Sequence, residues 1–252
     1  MKTSRICPII SNNFVTKDTF LMNVAFDEVP QPGQFLMLSK TDGLSEPFLP
    51  RPISVFDWND GVLSLLVKVV GKGTKMLSGM KAGEKIRITG YLGNSFPNTT
   101  GTLLCIGGGI GVAPLFYTAK ISKAAKKHFI LGFRDKDSVL MEEKFRELGE
   151  VTIVTDDGSC GLKKYPHEVL ETLLDKGFEP NEISTCGPLI MMDFVEKTCE
   201  KYGITELYKS YETTMGCGIG ACLGCRISTP GGSFLVCKEG PVFKFKTNRR
   251  EK

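Results

Sequence analysis

The chain of 252 residues has only two histidines and no apolar run long enough to cross a membrane. Reactions that need a histidine base can draw only on His128 and His167, and because neither lies in a partner motif, both are predicted to be structural. No charged residue lies between Arg87 and Lys120, but prolines, asparagines and glycines interrupt that stretch, so it lacks the ~20 predominantly apolar residues of a transmembrane helix. The N-terminus contains no apolar segment typical of a secretion signal. The sequence therefore predicts a cytoplasmic protein with no membrane partner.

An overall surplus of charge is nearly absent as well. The formal net charge is +4, and residues 238–252 alone, with six basic and two acidic side chains, account for it. Because nucleic-acid binding requires a basic face, no nucleic-acid partner is predicted. The basic tail is interpreted either as a solvated end or as a segment that docks on an acidic partner surface. A hydrophobic content of 41% and a charged content of 24% are typical of a soluble globular protein.

The first hundred residues are predicted to form antiparallel β structure. Strands are expected over residues 32–39 and 85–93, and over both halves of residues 55–70. Within the last of these, Asn59-Asp60-Gly61 is a strong hairpin signal because glycine and its Asx neighbours accept positive φ. Turn signals recur at short intervals, which favours a small barrel.

After Thr100, strand and helix patterns alternate, which predicts a parallel sheet with helices on both faces. The predicted strands cover residues 102–111, 128–133, 151–158 and 182–188, and the predicted helices cover 113–127, 137–148, 165–177 and 191–203. Asp137 or Ser138 is expected to cap the second helix. From Leu207 onward the sequence shows neither a strand pattern nor a helix pattern, apart from a predicted hairpin across Pro230-Gly231-Gly232. These changes predict three parts, residues 1–99, 100–206 and 207–252.

Four of the nine cysteines crowd into one short segment. Cys217, Cys222, Cys225 and Cys237 have the spacing C-x4-C-x2-C followed by eleven residues and a fourth cysteine, as in plant-type [2Fe-2S] ferredoxins. Glycines alternate with these cysteines, and without Cβ atoms they let the backbone wrap closely and direct N–H groups at the sulfurs. The spacing predicts an iron–sulfur cluster, with a structural zinc site or free thiols as the alternatives.

Glycine-rich turns indicate nucleotide binding. The run Gly107 to Pro114 joins a predicted strand to a predicted helix, where a diphosphate can approach backbone N–H groups, although close helix–strand packing without a ligand is the alternative. Gly71 to Leu77 (GKGTKML) could cradle a phosphate or could be an ordinary capped turn. The segment Arg51 to Ser54 (RPIS) offers an arginine that could pair with a phosphate.

Two further groups lie at predicted strand ends. Cys186-Gly187-Pro188 ends the fourth parallel strand, where ligands bind such sheets, and no histidine is placed to make Cys186 a nucleophile. Cys186 is interpreted as a small residue that lines a nucleotide site or packs in the core. Asp156 and Asp157 could form a catalytic carboxylate pair, but their position before glycine favours a turn.

The order RPIS, GKGT, GGGIGVAPL, TDDGS and CGP resembles the ferredoxin–NADP reductase superfamily across residues 31–188. The segments MGCGIGACLGC and VCKEGPVF narrow the resemblance to the electron-transfer subunits of NAD-dependent (type B) dihydroorotate dehydrogenases. The resemblance implies an N-terminal six-stranded antiparallel FAD-binding barrel, a central Rossmann-like parallel sheet that binds a pyridine nucleotide, and a C-terminal [2Fe-2S] loop module.

The resemblance also implies residue roles. Arg51 would pair with the FAD pyrophosphate, Pro52, Ile53 and Ser54 would shape the isoalloxazine site, Leu66, Val67 and Lys68 would line the flavin, and Gly73 and Thr74 would contact its phosphates. The residues implied to face NAD are Gly107, Gly109, Gly111, Cys186 and Gly187, and the implied cluster ligands are Cys217, Cys222, Cys225 and Cys237. Because Arg134 could accept a 2′-phosphate, the choice of NAD over NADP depends on the resemblance.

The family implies an oxidoreductase subunit that acts with an FMN-containing catalytic subunit in a heterotetramer of two of each. Electrons from dihydroorotate would pass through the cluster and FAD to NAD⁺, in pyrimidine biosynthesis, and this chain alone would not oxidise dihydroorotate. Two alternatives stay open. One is a flavin and iron–sulfur reductase subunit of a hydrogenase, sulfide or sulfite enzyme, and the other is a non-redox nucleotide-binding module with a structural zinc.

Overall fold

The computed structural model describes residues 4–41, 46–229 and 232–245. Its first part is a curled antiparallel sheet of seven strands in the order β4-β3-β7-β1-β2-β6-β5. These strands are β1 (Ser4–Phe14), β2 (Thr19–Ala25), β3 (Phe35–Lys40), β4 (Arg51–Ser54), β5 (Asp57–Asn59), β6 (Val62–Lys68) and β7 (Lys85–Leu92), and helix α1 (Lys72–Ser78) follows β6. Six strands were expected, and the additional one is β5, a three-residue strand at the edge of the sheet that pairs with β6.

Local sequence explains much of this sheet. In β7, Ile86, Ile88 and Leu92 are buried at alternate positions, as expected for a strand with one face in the core. The predicted hairpin is confirmed, because Asp60 (φ 48°) and Gly61 (φ 81°) both have positive φ between β5 and β6.

The second part is a six-stranded sheet in the order β10-β9-β8-β11-β12-β15, parallel except for β15. Its elements are β8 (Thr102–Gly108), α2 (Val112–Ile121), β9 (Lys126–Phe133), α3 (Glu142–Arg146), β10 (Glu150–Thr155), α4 (Pro166–Asp175), β11 (Glu182–Cys186), α5 (Leu189–Lys201) and β12 (Leu207–Ser210). From β8 the chain adds β9 and β10 on one side and then β11 and β12 on the other. Ligands bind such sheets where the order reverses, here beyond the carboxyl ends of β8 and β11.

Two helix predictions differ from the structure. The first predicted helix ends at Ile121 rather than at residue 127, because Ser122 turns to an extended conformation. The prediction that Asp137 or Ser138 caps the second helix was wrong. Residues 136–138 form a separate 3-10 turn, and α3 begins after Met141, whose φ of 55° breaks the helical path.

The chain after residue 207 contains more regular structure than its sequence pattern indicated. β12 joins the parallel sheet, and β15 (Val242–Lys244) pairs with it antiparallel. The predicted hairpin is confirmed by β13 (Arg226–Thr229) and β14 (Gly232–Leu235), although Pro230 and Gly231 themselves lie outside the described residues. Helix α6 (Val236–Glu239) carries the last cysteine. The parallel sheet therefore continues past the predicted boundary at residue 207, and the division into three parts remains a proposal.

The two sheets share a packed interface. Phe56, next to β5, stacks on Phe116 of α2 with ring centroids 4.7 Å apart, and Lys120 of the same helix lies 2.6 Å from the Asp57 carboxylate. The residues of the basic tail beyond 245 lie outside the described residues. Across the described ranges, no helix has both the length and the apolar character that a membrane crossing requires.

Candidate functional site

Cys217 begins the cysteine loop, and its sulfur is surrounded by backbone donors. The N–H groups of Ile219, Ala221 and Cys222 point at its Sγ with distances of 3.5, 3.3 and 3.3 Å. Burial by itself would raise the pKa of this thiol, but the hydrogen bonds from Cys222 and Ile219 outweigh it and lower the pKa to about 6. A sulfur held this way is a thiolate at neutral pH, which is the form that ligates metal.

The buried thiols of Cys225 and Cys237 lie next to each other. The sulfurs of Cys225 and Cys237 lie 3.2 Å apart, and the Cys237 N–H donates to the Cys225 sulfur over 3.4 Å. Burial first, and the hydrogen bond with Cys225 second, raise the pKa of Cys237 to about 12. Among the residues that the structure describes, no three histidine, cysteine, aspartate or glutamate side chains converge on a single ion position. The loop thus presents its thiols as two pairs, Cys217 with Cys222 and Cys225 with Cys237.

Glycine is required in this loop for steric reasons. Gly218 has φ of +71°, and a Cβ there would lie 2.6 Å from the Met37 Cγ. The loop can therefore lie directly on the barrel, where Met37 and Leu92 pack with Met215, Cys225 and Cys237 in one buried cluster.

A cavity of about 620 Å³ opens beside this cluster. One wall is formed by barrel residues that the sequence analysis had singled out, which are Arg51, Pro52, Ile53, Ser54, Leu66, Val67, Lys68 and Thr74. A second part of the wall is formed by residues 210–215, which lead directly into the cysteine loop. This second part was missed from the sequence, because the segment has no motif of its own.

Gly73 and Thr74 support the cavity in different ways. A Cβ on Gly73 would lie 1.9 Å from the Arg51 Nε, so glycine makes room for the arginine side chain. The Thr74 hydroxyl accepts the N–H groups of Val70 and Gly71 at 2.8 and 3.2 Å, which is the capped turn that the sequence left open. Thr74 also faces the cavity, so both interpretations of this turn remain compatible with its position.

A second cavity of about 700 Å³ lies at the carboxyl ends of the parallel strands. Its wall includes Gly109 of the glycine-rich turn, together with Arg134 after β9 and Asp156 after β10. Asp157 is not part of this wall. Its carboxylate instead accepts hydrogen bonds from the Ser159 N–H and hydroxyl at 2.9 and 2.7 Å. The interpretation of this segment as a turn is therefore confirmed.

Four other residues that were expected to face a nucleotide are not among the described residues that line this cavity. These four are Gly107, Gly111, Cys186 and Gly187. A Cβ on Gly111 would lie 2.5 Å from the Cys186 carbonyl oxygen, and one on Gly107 would lie 2.8 Å from the Val112 Cγ1. Gly187 has φ of +152° and lies against the Gly108 backbone. Cys186 is fully buried, and this burial raises the pKa of its thiol, which keeps the thiol protonated. These residues shape the turn, and direct contact with a nucleotide stays a prediction for them.

The sequence did not reveal an aromatic row in the wall of the second cavity. The His167 ring stacks 4.7 Å from Phe194 and 6.0 Å from Tyr165, and all three line the cavity. Their separation along the chain leaves no local signal. His128, in contrast, lies at the start of β9, where it packs against Phe178 and pairs with Glu150 at 3.2 Å.

The two cavities meet. Lys68 at the end of β6 and Ile110 of the glycine-rich turn line both of them. The three candidate sites are therefore adjacent. The cysteine loop lies next to the barrel cavity, and the barrel cavity meets the strand-end cavity.

Comparison with known proteins gives consistent matches. A family model described as the iron–sulfur cluster binding domain of dihydroorotate dehydrogenase B matches residues 212–247. A protein of Clostridium acetobutylicum is 43% identical over 218 residues, covering 84% of each chain, and one of Caldanaerobacter subterraneus subsp. tengcongensis is 39% identical over 241 residues, covering 93% of this chain and 94% of its own. Both are named dihydroorotate dehydrogenase B (NAD(+)), electron transfer subunit.

Solved structures confirm the predicted fold class. A chain from an NADH-dependent reduced ferredoxin–NADP oxidoreductase superposes with a TM-score of 0.85 at 27% identity, covering 97% of this chain and 90% of its own. A ferredoxin–NADP⁺ reductase from Neisseria gonorrhoeae, with bound FAD and NADP, superposes with a TM-score of 0.68 at 16% identity, covering 81% of this chain and 93% of its own. The second likeness concerns the fold alone.

Proposed function

Because this chain belongs to the family of dihydroorotate dehydrogenase B (NAD(+)) electron transfer subunits, we propose that it carries electrons between an iron–sulfur cluster, FAD and NAD⁺. The observation that carries the proposal is the path of residues 210–215. They form one wall of the barrel cavity and continue into the cysteine loop, so a flavin and a cluster would lie side by side.

The cysteine loop suits a [2Fe-2S] cluster. Such a cluster has two irons, and with four cysteine ligands each iron takes two thiolates. The pairs Cys217/Cys222 and Cys225/Cys237 match this requirement, and the three N–H groups at the Cys217 sulfur would stabilise its negative charge.

The barrel cavity suits FAD, and the strand-end cavity suits NAD. Arg51 would hold the flavin diphosphate while Ser54 and residues 66–68 border the ring. Gly109 and the N-terminal end of α2 would receive the nucleotide diphosphate. When bound, FAD exchanges a hydride with NAD⁺ and single electrons with the cluster, and the chain supplies binding and orientation.

The catalytic partner implied by the family name would dock at the cysteine loop. Ile219 and Leu223 on that loop are 56% and 53% exposed, which suits burial in an interface. We propose that this partner holds FMN, that the complex contains two of each subunit, and that dihydroorotate is oxidised only in the complex.

The first test is an anaerobic ultraviolet–visible spectrum, recorded before and after addition of NADH. We expect flavin bands with additional long-wavelength absorbance from the cluster, and we expect NADH to bleach both. In Cys222→Ser the long-wavelength absorbance should be lost while the flavin bands remain, because one iron loses a ligand. Cys160→Ser, outside the loop, serves as the control and should keep both. A colourless protein that contains zinc would overturn the proposal.

A second candidate is a reductase subunit of a different redox complex. The TM-score of 0.85 to a chain of a ferredoxin–NADP oxidoreductase favours it, because that protein has the same arrangement over nearly its whole length. Dihydroorotate-dependent reduction of NAD⁺ by the complex with a catalytic subunit distinguishes the two. Spectra typical of a flavin and a cluster without that activity would favour the second candidate.

A further inference from the structure

Asn94 joins the barrel to the segment that follows the last cysteine. It lies two residues after the end of β7, and its backbone N–H donates to the Gly240 carbonyl oxygen at 2.7 Å. Its Nδ2 donates to the carbonyl oxygens of Glu239 and Val242 at 3.0 and 2.7 Å. Its Oδ1 accepts the Val242 N–H at 2.9 Å. Both polar atoms of this side chain are therefore bound to the segment 239–242.

The barrel fixes the position of Asn94 itself. Leu92 and Phe96, on either side of it, are only 0% and 2% exposed. Gly93 has φ of +79°, and a Cβ there would lie 2.5 Å from the Pro241 Cδ, so the backbone of this turn lies directly on the segment. Asn94 is exposed, and its replacement by a smaller side chain therefore opens no cavity in the core.

The segment 239–242 connects the cysteine loop with the barrel cavity. Helix α6 carries Cys237, and the Asn94 Nδ2 binds the carbonyl group of the last residue of this helix. Pro241 lines the barrel cavity, and its carbonyl oxygen accepts the N–H of Tyr211, which also lines that cavity, at 2.9 Å. A shift of this short segment would therefore move Cys237 relative to the cavity.

We propose that Asn94 is a positioning residue for electron transfer, because it fixes the cluster ligand Cys237 relative to the flavin cavity. This inference deepens the proposed function and rests on it, since it assumes a flavin in the barrel cavity and a cluster in the cysteine loop. Asn94 is not among the described residues that line the barrel cavity. Because electron transfer slows steeply as the donor and the acceptor separate, a loosened segment lowers its rate without changing how NADH binds.

The test is the anaerobic stopped-flow reaction of the holoprotein with NADH, in which flavin and cluster absorbance are followed separately. A hydride from NADH brings two electrons to FAD, and one of them passes to the cluster, where one Fe(III) becomes Fe(II). In Asn94→Ala, bleaching of the flavin should stay within about twofold of the wild-type rate, whereas reduction of the cluster should slow roughly tenfold. Asn94→Asp should be at least as slow, because its carboxylate would face two carbonyl oxygens.

Amide hydrogen exchange of the same variants gives a readout that needs no turnover. In Asn94→Ala, peptides that contain Val242 should exchange faster, by about tenfold at this amide, because its N–H loses its acceptor. Asn23→Ala is the matched control. Asn23 also makes two side-chain hydrogen bonds within the barrel, at 2.8 and 2.7 Å, and it lines neither cavity. Its two reduction rates and its exchange at Val242 should equal those of the wild type.

The other results decide the inference as well. Loss of iron from Asn94→Ala, with FAD retained, would support it, because Cys237 would then no longer reach its iron. Equal slowing of flavin and cluster reduction would indicate a general loss of structure and refute it, as would a wild-type rate of cluster reduction in Asn94→Asp. A wild-type protein that binds neither flavin nor iron would refute the proposed function, and exchange at Val242 would still test the contacts of Asn94.

Discussion

At the scale of single residues, burial determines which groups can ionise. Glu182 at the start of β11 is only 4% exposed, and its Oε1 accepts a hydrogen bond from the Ser184 hydroxyl at 3.0 Å. Burial first, together with the nearby charge of Glu206, raises the pKa of Glu182 to about 7, and the bond from Ser184 only partly opposes this. Glu182 is therefore protonated in the folded protein at pH values where an unfolded chain would have released the proton.

This pKa predicts a pH-dependent loss of stability. The pKa of Glu182 is higher in the folded protein than in the unfolded chain. Its contribution to the free energy of unfolding is therefore fully present below about pH 4.5 and is lost as the pH rises through 7. Glu182→Gln should leave the free energy of unfolding nearly unchanged at pH 4.5 and raise it by roughly 2–3 kcal/mol at pH 8. Urea unfolding at both pH values measures this. The same substitution at the exposed Glu179 should have no effect at either, and equal effects of Glu182→Gln at both pH values would contradict the prediction.

At the scale of secondary-structure elements, close approach of backbones determines where glycine is needed. Gly111 ends the turn between β8 and α2 and lies directly against the end of β11. A Cβ on Gly111 would lie 2.5 Å from the Cys186 carbonyl oxygen, which is closer than Cβ atoms approach other heavy atoms in proteins. The glycine-rich turn is thus required by packing, whether or not a nucleotide is bound.

We therefore expect Gly111→Ala to destabilise the protein by roughly 1–3 kcal/mol, as overpacking does in a well-packed core. Thermal or urea unfolding of the holoprotein measures it. Gly79→Ala is the control, because its Cβ would meet nothing closer than 3.6 Å and its φ of −86° suits alanine. A destabilisation equal to that of the control would show that β11 moves aside freely.

At the scale of the whole molecule, the barrel and the parallel sheet unite through a common core. Phe56 and Leu66 of the barrel part belong to the same buried cluster as Phe116, Phe129 and Phe145 of the second part. Such a shared core fixes the position of one cavity relative to the other, which electron transfer between bound cofactors requires.

A double-mutant cycle tests this coupling. Phe56→Ala and Phe116→Ala should each destabilise the protein by about 3–5 kcal/mol, and together by about 1 kcal/mol less than their sum, because the stacked rings are in contact. Phe20 is fully buried but belongs to a different buried cluster from Phe116, so Phe20→Ala and Phe116→Ala should be additive. Additivity in the first pair would show that the two parts do not stabilise each other through these rings.

Features that depend on neighbouring residues could be predicted from the sequence. The Asp60-Gly61 hairpin and the alternating strands and helices from Thr102 to Lys201 were recognised correctly, because turn sterics and side-chain periodicity act over a few residues. The start of helix α3 after Met141 was not predicted, because a single residue with positive φ leaves no pattern in the sequence. Strand β12 was missed because its buried Lys209 looks polar, and its burial depends on ion pairs with Asp193 and Glu196.

The sequence alone determined the local chemistry: four thiols at cluster spacing, two glycine-rich turns and an arginine at the start of a barrel strand. Only the tertiary structure decided what these groups face. It placed residues 210–215 in the wall of one cavity with Ser54, put His167 in the wall of the other with Phe194, and paired Lys68 with Asp18 at the meeting point of the two cavities. The physical reason is that these contacts join residues far apart in the chain, and packing of the two sheets, rather than any local propensity, brings them together.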